Sequence, residues 1–361
     1  MKKVIALFMT ALMYFFPSLN LSHIRTDPAS WNTNYSFVYV HGLAGWGSYD
    51  FMNHVLPYWG MLGGDMIKNL NRLGFHCVSA SVDPQGSAWD RACELYAQLS
   101  GTRVDYGKAH SERCGHTRFG KDFSKKPLIK SWSGKDKVNL LGHSFGGVTV
   151  RMLAELMASG SDEERRVTDP QDLSALFMGG KADWIYSITT LAAPTNGTTA
   201  YGFGDPDKEL PNRDCAAYDM YIDNALEINK TLHVRDCTYY FAIPCSTTVR
   251  AEDGTYVPDK SITEKRMLES AAQMGKATGV TPKGFVVDEA WLENDGSVNT
   301  ISAGAPFGAP SVQLDKENIQ SGVWNVTETF RGDHMSLIGD LFKSRNIRPL
   351  YADWMQMINC L

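Results

Sequence analysis

The sequence predicts an α/β fold in which a mostly parallel sheet carries helices on both faces. Three observations support this. Short apolar runs alternate with segments of helical spacing, glycine-rich turns follow two of the runs, and no internal repeat or low-complexity linker interrupts the alternation. At 361 residues the chain is long enough for one large core, and a single catalytic domain over residues 30–361 is expected.

The elements follow in order. Residues 1–25 read as a signal peptide, because Met1-Lys2-Lys3 precede an apolar stretch from Val4 to Pro17 that has h-region length and is short for a membrane span. Export is the expectation. An uncleaved N-terminal anchor is the alternative, since no small-x-small cleavage site follows. Ser36 to Val40 is a strand ending in the turn His41-Gly42-Leu43-Ala44-Gly45-Trp46-Gly47. Gly63 to Leu73 has helical spacing with Met66, Leu70 and Leu73 on one face, Phe75 to Val82 reads as a strand, and Trp89 to Leu99 as a helix. Thr102 to Lys130 is polar, rich in His, Lys and Arg, and reads as a long ordered loop. Lys137 to Leu141 is a buried strand, Gly146 to Ala158 a helix, and Trp184 to Ala193 and Cys237 to Ile243 are further strands.

Composition narrows the function. The chain is 43% hydrophobic and 21% charged, and past the first twenty residues no run is apolar enough to cross a bilayer, which excludes a polytopic membrane protein. The net charge of −5 is small and the basic residues do not cluster, so neither nucleic acid nor an anionic membrane surface is an expected partner. Once the leader is removed, no stable membrane insertion is expected. Seven cysteines suit an oxidising compartment without making a dense framework, and Cys215 with Cys237 is a candidate bridge. Asn34, Asn196, Asn229 and Asn325 stand in N-x-Ser/Thr sequons, which matter only in a host that glycosylates.

Gly142-His143-Ser144-Phe145-Gly146-Gly147 lies between a predicted strand and a predicted helix. In that setting G-x-S-x-G has a mechanical meaning. The serine sits on a strained turn, and the glycines let strand and helix backbones pass close to it. A serine hydroxyl needs a base, and in this arrangement the acid and then the histidine follow the serine along the chain. Of nine histidines only His233 and His334 follow Ser144. His334, in Gly332-Asp333-His334-Met335 after all the predicted strands, is the stronger candidate base. Asp295, at an Asp-Gly turn after Trp291-Leu292, is the candidate acid, with Asp288 and Asp333 as rivals. The tetrahedral oxyanion needs backbone N–H donors, which point to Phe145 after the serine and Leu43 in the earlier glycine-rich turn. His41 is expected to order that turn and to move no proton. Activity should fall in acid as the base takes up a proton.

Together, His41 to Gly47, Trp89-Asp90-Arg91-Ala92-Cys93-Glu94, Asp105-Tyr106-Gly107-Lys108-Ala109-His110, Gly142 to Gly147, Trp291 to Asn299 and Asp333-His334 resemble the zinc-containing bacterial lipases of the Geobacillus and staphylococcal group. The resemblance covers roughly residues 36 to 340 and implies the α/β-hydrolase fold. It further implies a triacylglycerol lipase or carboxylesterase with Ser144, Asp295 and His334 as its triad. A structural zinc is also implied, on Asp90, His110, His116 and Asp219, a closed set that would pin the loop from Thr102 onward. From the residues alone, His110, Cys114 and His116 could equally be surface side chains, and a Cys114 thiolate could compete as a ligand.

Two departures from the family pattern stand out. Only 23 residues separate Pro194 from Tyr218, where the family carries a long helical lid, so the lid is expected to be reduced or absent and the site open. The family's acidic calcium position after the catalytic histidine is Ser336 here, with Asp340 out of register, and calcium is not expected. The substrates implied are acylglycerols, short acyl esters and synthetic polyesters. The competing readings are a phospholipase or acyltransferase on the same triad, and a non-catalytic lipid- or glycan-binding relative.

Overall fold

The computed structural model describes residues 26–340 and 346–361, so the expected signal peptide lies outside the described residues. Seven strands form the main sheet: β1 (Ser36–Val40), β2 (Cys77–Ala80), β3 (Val138–His143), β4 (Ile185–Leu191), β5 (Tyr239–Ile243), β6 (Ser311–Gln313) and β7 (Trp324–Val326). Their spatial order is β6-β7-β5-β4-β3-β1-β2, and every neighbouring pair is parallel. A parallel sheet needs crossovers, and these put helices on both faces.

The alternation along β1 explains the layering. Val38 and Val40 face one side, where they meet Ala92, Leu95 and Leu99 of α2 (Ala88–Ser100) and Val150 and Leu153 of α4 (Phe145–Ser159). Phe37 and Tyr39 face the other, against Met66 and Leu70 of α1 (Met66–Arg72) and Tyr351, Met355 and Ile358 of α5 (Arg348–Asn359). Each such side chain, fully buried, contributes about 1.5–3 kcal/mol. The strand is therefore apolar on both faces, as central parallel strands are. No helix among the described residues is long and apolar enough to cross a membrane.

The structure corrects three local expectations. Thr102 to Lys130 is not a plain loop. It holds an antiparallel pair, Arg103–Asp105 with Phe119–Asp122, around the helix α3 (Lys108–Cys114). That helix lacks a local cap, because Gly107 stands at its N-cap. Glu164, distant in sequence, accepts the Ala109 and His110 N–H groups at 3.0 and 2.9 Å. The strands β6 and β7 and the helix α5 were not expected. Cys215 and Cys237 carry free thiols and are not bridged. Cys215 stands before the helix Ala216–Met220 with its Sγ donating to the Asn212 carbonyl, while Cys237 is exposed beside Thr238.

Candidate active site

The chain leaves β3 through Ser144, whose backbone takes φ 55°, ψ −131°, and enters α4 at the next residue. Few non-glycine residues adopt that conformation, and the strain persists because its surroundings dictate it. The Ser144 N–H donates to the Leu191 carbonyl at 2.8 Å, and its carbonyl accepts the Gly147 N–H at 2.9 Å. A Cβ on Gly142 would lie 2.3 Å from Gly146 backbone atoms, and one on Gly146 would lie 2.3 Å from the Val40 carbonyl oxygen. The glycines are required by backbone crossing. Although Ser144 occupies the N-cap position, its side chain makes no capping hydrogen bond.

The structure brings His334 and Asp295 together. The His334 Nδ1–H donates to Asp295 Oδ2 at 2.7 Å, and the His334 backbone N–H donates to the Asp295 carbonyl at 2.9 Å. The other carboxylate oxygen of Asp295 accepts the Ser297 and Val298 N–H groups at 2.8 and 2.7 Å. Both oxygens of this fully buried carboxylate thus accept hydrogen bonds, and with Nδ1 as the donor it is His334 Nε2 that is left to act as a base. The rivals lie elsewhere. His233 bonds Glu155 at 3.2 Å, Asp288 caps a short turn through the Ala290 N–H, and Asp333 takes the N–H groups of Glu264 and Met335.

A buried relay that the sequence reading missed ties these parts together. The His143 Nε2 faces the His334 carbonyl at 2.8 Å, an acceptor, so Nε2 carries the proton and Nδ1 accepts. Tyr58 must then donate its hydroxyl to His143 Nδ1 at 2.7 Å while accepting the Gly42 N–H at 3.0 Å. Burial first, and the neighbouring His334 second, hold His143 well below the ordinary imidazole range, so it stays neutral. His41 fixes the next peptide. Its Nε2 accepts the Val82 N–H at 3.3 Å, which leaves Nδ1–H to donate to the Gly42 carbonyl at 2.8 Å. Burial lowers His41 to about 3, and it carries no charge at neutral pH. With the Gly42 carbonyl pinned by His41, the trans peptide turns the Leu43 N–H the opposite way. The start of that turn abuts the serine, since a Cβ on Gly42 would lie 3.1 Å from Ser144 Oγ. Gly42 spends its own N–H on Tyr58, which leaves Leu43 and Phe145 as the amides available to an oxyanion.

A second cluster forms beside α2 and α3. His110 Nε2 lies 2.9 Å from Asp90 Oδ1 and 3.4 Å from Asp214 Oδ2, and His116 Nε2 lies 3.2 Å from Asp214 Oδ2 and 3.8 Å from Asp90 Oδ2. The Trp89 ring stacks on His110 with centroids 5.2 Å apart. Asp219 lines the same cavity, but its Oδ2 accepts the Ala88 N–H at 2.7 Å. The compact donor group is His110, Cys114, His116 and Asp214, with ligand atoms within 4.8 Å of one another. Of the expected set only His110 and His116 fall in this compact group; Cys114 and Asp214 complete it, while Asp90 and Asp219 lie beside it. Asp214 gave no sequence signal, because it lies in a polar stretch with no ligand spacing.

The donor chemistry fits a divalent cation. Although it lies 3.2 Å from Asp214 Oδ2, the buried His116 Nε2 makes no well-aligned hydrogen bond among the described residues. Burial, reinforced by the charges of Asp214 and Asp90, pushes Asp219 up to about 7, the cost of crowding carboxylates that a cation would remove. Burial opposes the charge on His110, yet its hydrogen bonds to the accepting carboxylates of Asp214 and Asp90 outweigh it and raise the group to about 9. The group could bind a metal through two imidazoles with carboxylate or thiolate partners.

The chain is similar to known lipases. A family model described as "Lipase-like, C-terminal domain" matches residues 33–208. The lipase of Staphylococcus epidermidis is 30% identical over 86% of this chain, and lipase 2 of Staphylococcus aureus is 30% identical over 84%. The chain spans about half the length of these curated relatives, 50% of each. Among solved structures, EstA from Clostridium botulinum superposes with a TM-score of 0.83 at 29% identity, covering 96% of this chain and 91% of that one. Staphylococcus hyicus lipase gives 0.79 at 26% identity, covering 92% of this chain and 98% of its own. By sequence along most of its length and by superposed architecture, the chain belongs to the bacterial lipase family that includes the staphylococcal enzymes, on an α/β-hydrolase fold.

Proposed function

We propose that the protein is a secreted carboxylic-ester hydrolase, a single catalytic unit over residues 30–361, working through an acyl-serine intermediate. The observation that carries this reading is the buried connection from the Ser144 elbow to the His334–Asp295 pair. His143, next to Ser144, holds the His334 carbonyl at 2.8 Å while His334 holds Asp295 at 2.7 Å. In the proposed reaction Ser144 Oγ attacks the ester carbonyl and its proton passes to His334 Nε2. Asp295 stabilises the imidazolium, and the tetrahedral oxyanion accepts from the Leu43 and Phe145 N–H groups. Collapse expels the alcohol, which takes the proton from His334. A water activated by the same nitrogen then frees the acid and restores the serine.

Substrate access follows from the short stretch after β4. Between Pro194 and Tyr218 lie only the turn Thr199–Tyr201, the four-residue helix Pro206–Glu209 and the start of the helix Ala216–Met220, too little to roof a cleft. The site is open, and short or dispersed esters reach it without an interface. Initial rates on p-nitrophenyl esters from acetate to palmitate, and on tributyrin below and above its solubility limit, test this. The expected result is a preference for short chains with no jump at the limit. Long-chain preference with a jump overturns the open site, and no turnover on any ester overturns the hydrolase.

The cluster at Asp90, His110, His116 and Asp219, joined by Asp214, would hold a structural zinc with no open position for substrate. Bound there, the ion would tie α2 to the α3 segment and to the chain after β4. A cation at one hundred times its Kd stabilises by about 2.7 kcal/mol. Chelation is therefore expected to lower the melting temperature by several degrees while sparing the initial rate measured at once. Prompt loss of turnover with unchanged melting would overturn the structural role.

A further inference from the structure

Arg91 is the least expected side chain near the candidate site. It lies on α2 and is fully buried; among the described residues no carboxylate makes a direct ion pair with it, and the charges of Glu94 and Asp83 reach it only across a distance. Burying a cation without a partner costs several kcal/mol, and a methionine or leucine would fill the space without that penalty. Glu94, the acid whose charge acts on it most, is engaged elsewhere: it accepts the Tyr106 hydroxyl at 2.8 Å and the Asp83 N–H at 2.5 Å. Arg91 Nε and Nη1 make no hydrogen bond among the described residues. Its two remaining contacts are specific. Nη2 donates to the His41 carbonyl, and the guanidinium carbon sits 5.1 Å from the centroid of the Phe145 ring.

Those contacts flank both amides assigned to the oxyanion. His41 leads into Gly42-Leu43, and Phe145 supplies the other N–H itself. We propose that Arg91 is a positioning residue for ester cleavage: its buried guanidinium holds the Leu43 turn and the start of α4 in mutual register. It also fixes a positive charge behind both donors. The inference rests on the hydrolase reading above. In a water-poor interior such a charge acts at long range, and because it is held before substrate arrives, no reorganisation accompanies the build-up of negative charge. It favours the charged tetrahedral species over the neutral ester, so it should act on kcat and leave KM alone.

The test uses the full chain with Arg91→Met and Arg91→Lys, read by kcat, KM, melting temperature and the affinity of a phenylboronic acid, whose serine adduct is a tetrahedral anion. Labelling of the unaltered protein at Ser144 by a fluorophosphonate comes first, and its failure would sink the hydrolase reading and not merely the role of Arg91. With labelling in hand, Arg91→Met is expected to lose about 10- to 100-fold in kcat and in boronate affinity together, with KM within about two-fold. Arg91→Lys should recover part of both. Unchanged boronate affinity, or a lysine variant no better than the methionine variant, overturns the proposal. Should the methionine variant not fold, Arg91→Lys alone decides. Keeping the charge but losing the Nη2 contact with the His41 carbonyl must lower kcat and boronate affinity in parallel, and a loss confined to melting temperature and KM overturns the role.

Discussion

Replacing Ser144 with alanine is expected to lower turnover by about 10⁵- to 10⁶-fold while the protein folds and melts as before. The side chain supplies no capping bond to α4, and the backbone bonds to Leu191 and Gly147 survive the change. Alanine also meets the same strained φ of 55° that serine already bears, so the folded state loses little. What disappears is the oxygen that would form the acyl bond. The residual rate would come from substrate binding and the oxyanion amides. Turnover of a p-nitrophenyl ester, thermal melting and covalent labelling by a fluorophosphonate together check this. A variant that keeps more than about one per cent of the activity removes Ser144 from the chemistry.

The second large effect is on folding. Gly146→Ala would set a methyl 2.3 Å from the Val40 carbonyl oxygen and 2.7 Å from that of His41, both main-chain atoms of the central strand and the turn that follows it. Neither can move without opening the β1–β3 ladder, whose register runs from Ser36 opposite Val138 to Val40 opposite Gly142. The expected outcome is a loss of at least about 3 kcal/mol, or no soluble protein. Gly63→Ala is the matched control, because a Cβ there meets nothing within 4 Å. Urea denaturation of the two variants should separate them by that margin, and similar midpoints would mean that the elbow tolerates more displacement than its geometry allows.

How much of this was legible beforehand depended on whether the signal was local. The strands β1 and β5 are almost wholly apolar runs of five residues, and β3 and β4, of six and seven, carry Val138, Leu140 and Leu141 and Ile185, Ile188 and Leu191 among their residues, so buried parallel strands of that length announce themselves. Strands β6 and β7 have three residues each and include Ser311, Gln313 and Asn325. Only pairing with a neighbour makes them strands. The spacing of Tyr351, Met355 and Ile358 did carry a helical signal that went unread. At the candidate site, Ser144, Asp295 and His334 could be read from motif and chain order, because the proposed reaction dictates their types. Tyr58, Arg91 and Asp214 could not. Each works through a contact with a residue far along the chain, and a tyrosine, arginine or aspartate is common enough to carry no meaning until that contact is seen.

The bond between His143 and the His334 carbonyl spans 191 positions of the chain. A polypeptide emerging from the ribosome therefore carries its candidate nucleophile through much of its synthesis before the base exists. In that interval strands β3 and β4 can pair and bury their apolar faces, but the serine they present is inert. On the proposed function, half-made chains have no power to cleave the esters of the cell that makes them. Competence arrives only when the late segment docks, a long-range closure that ranks among the slower events of folding.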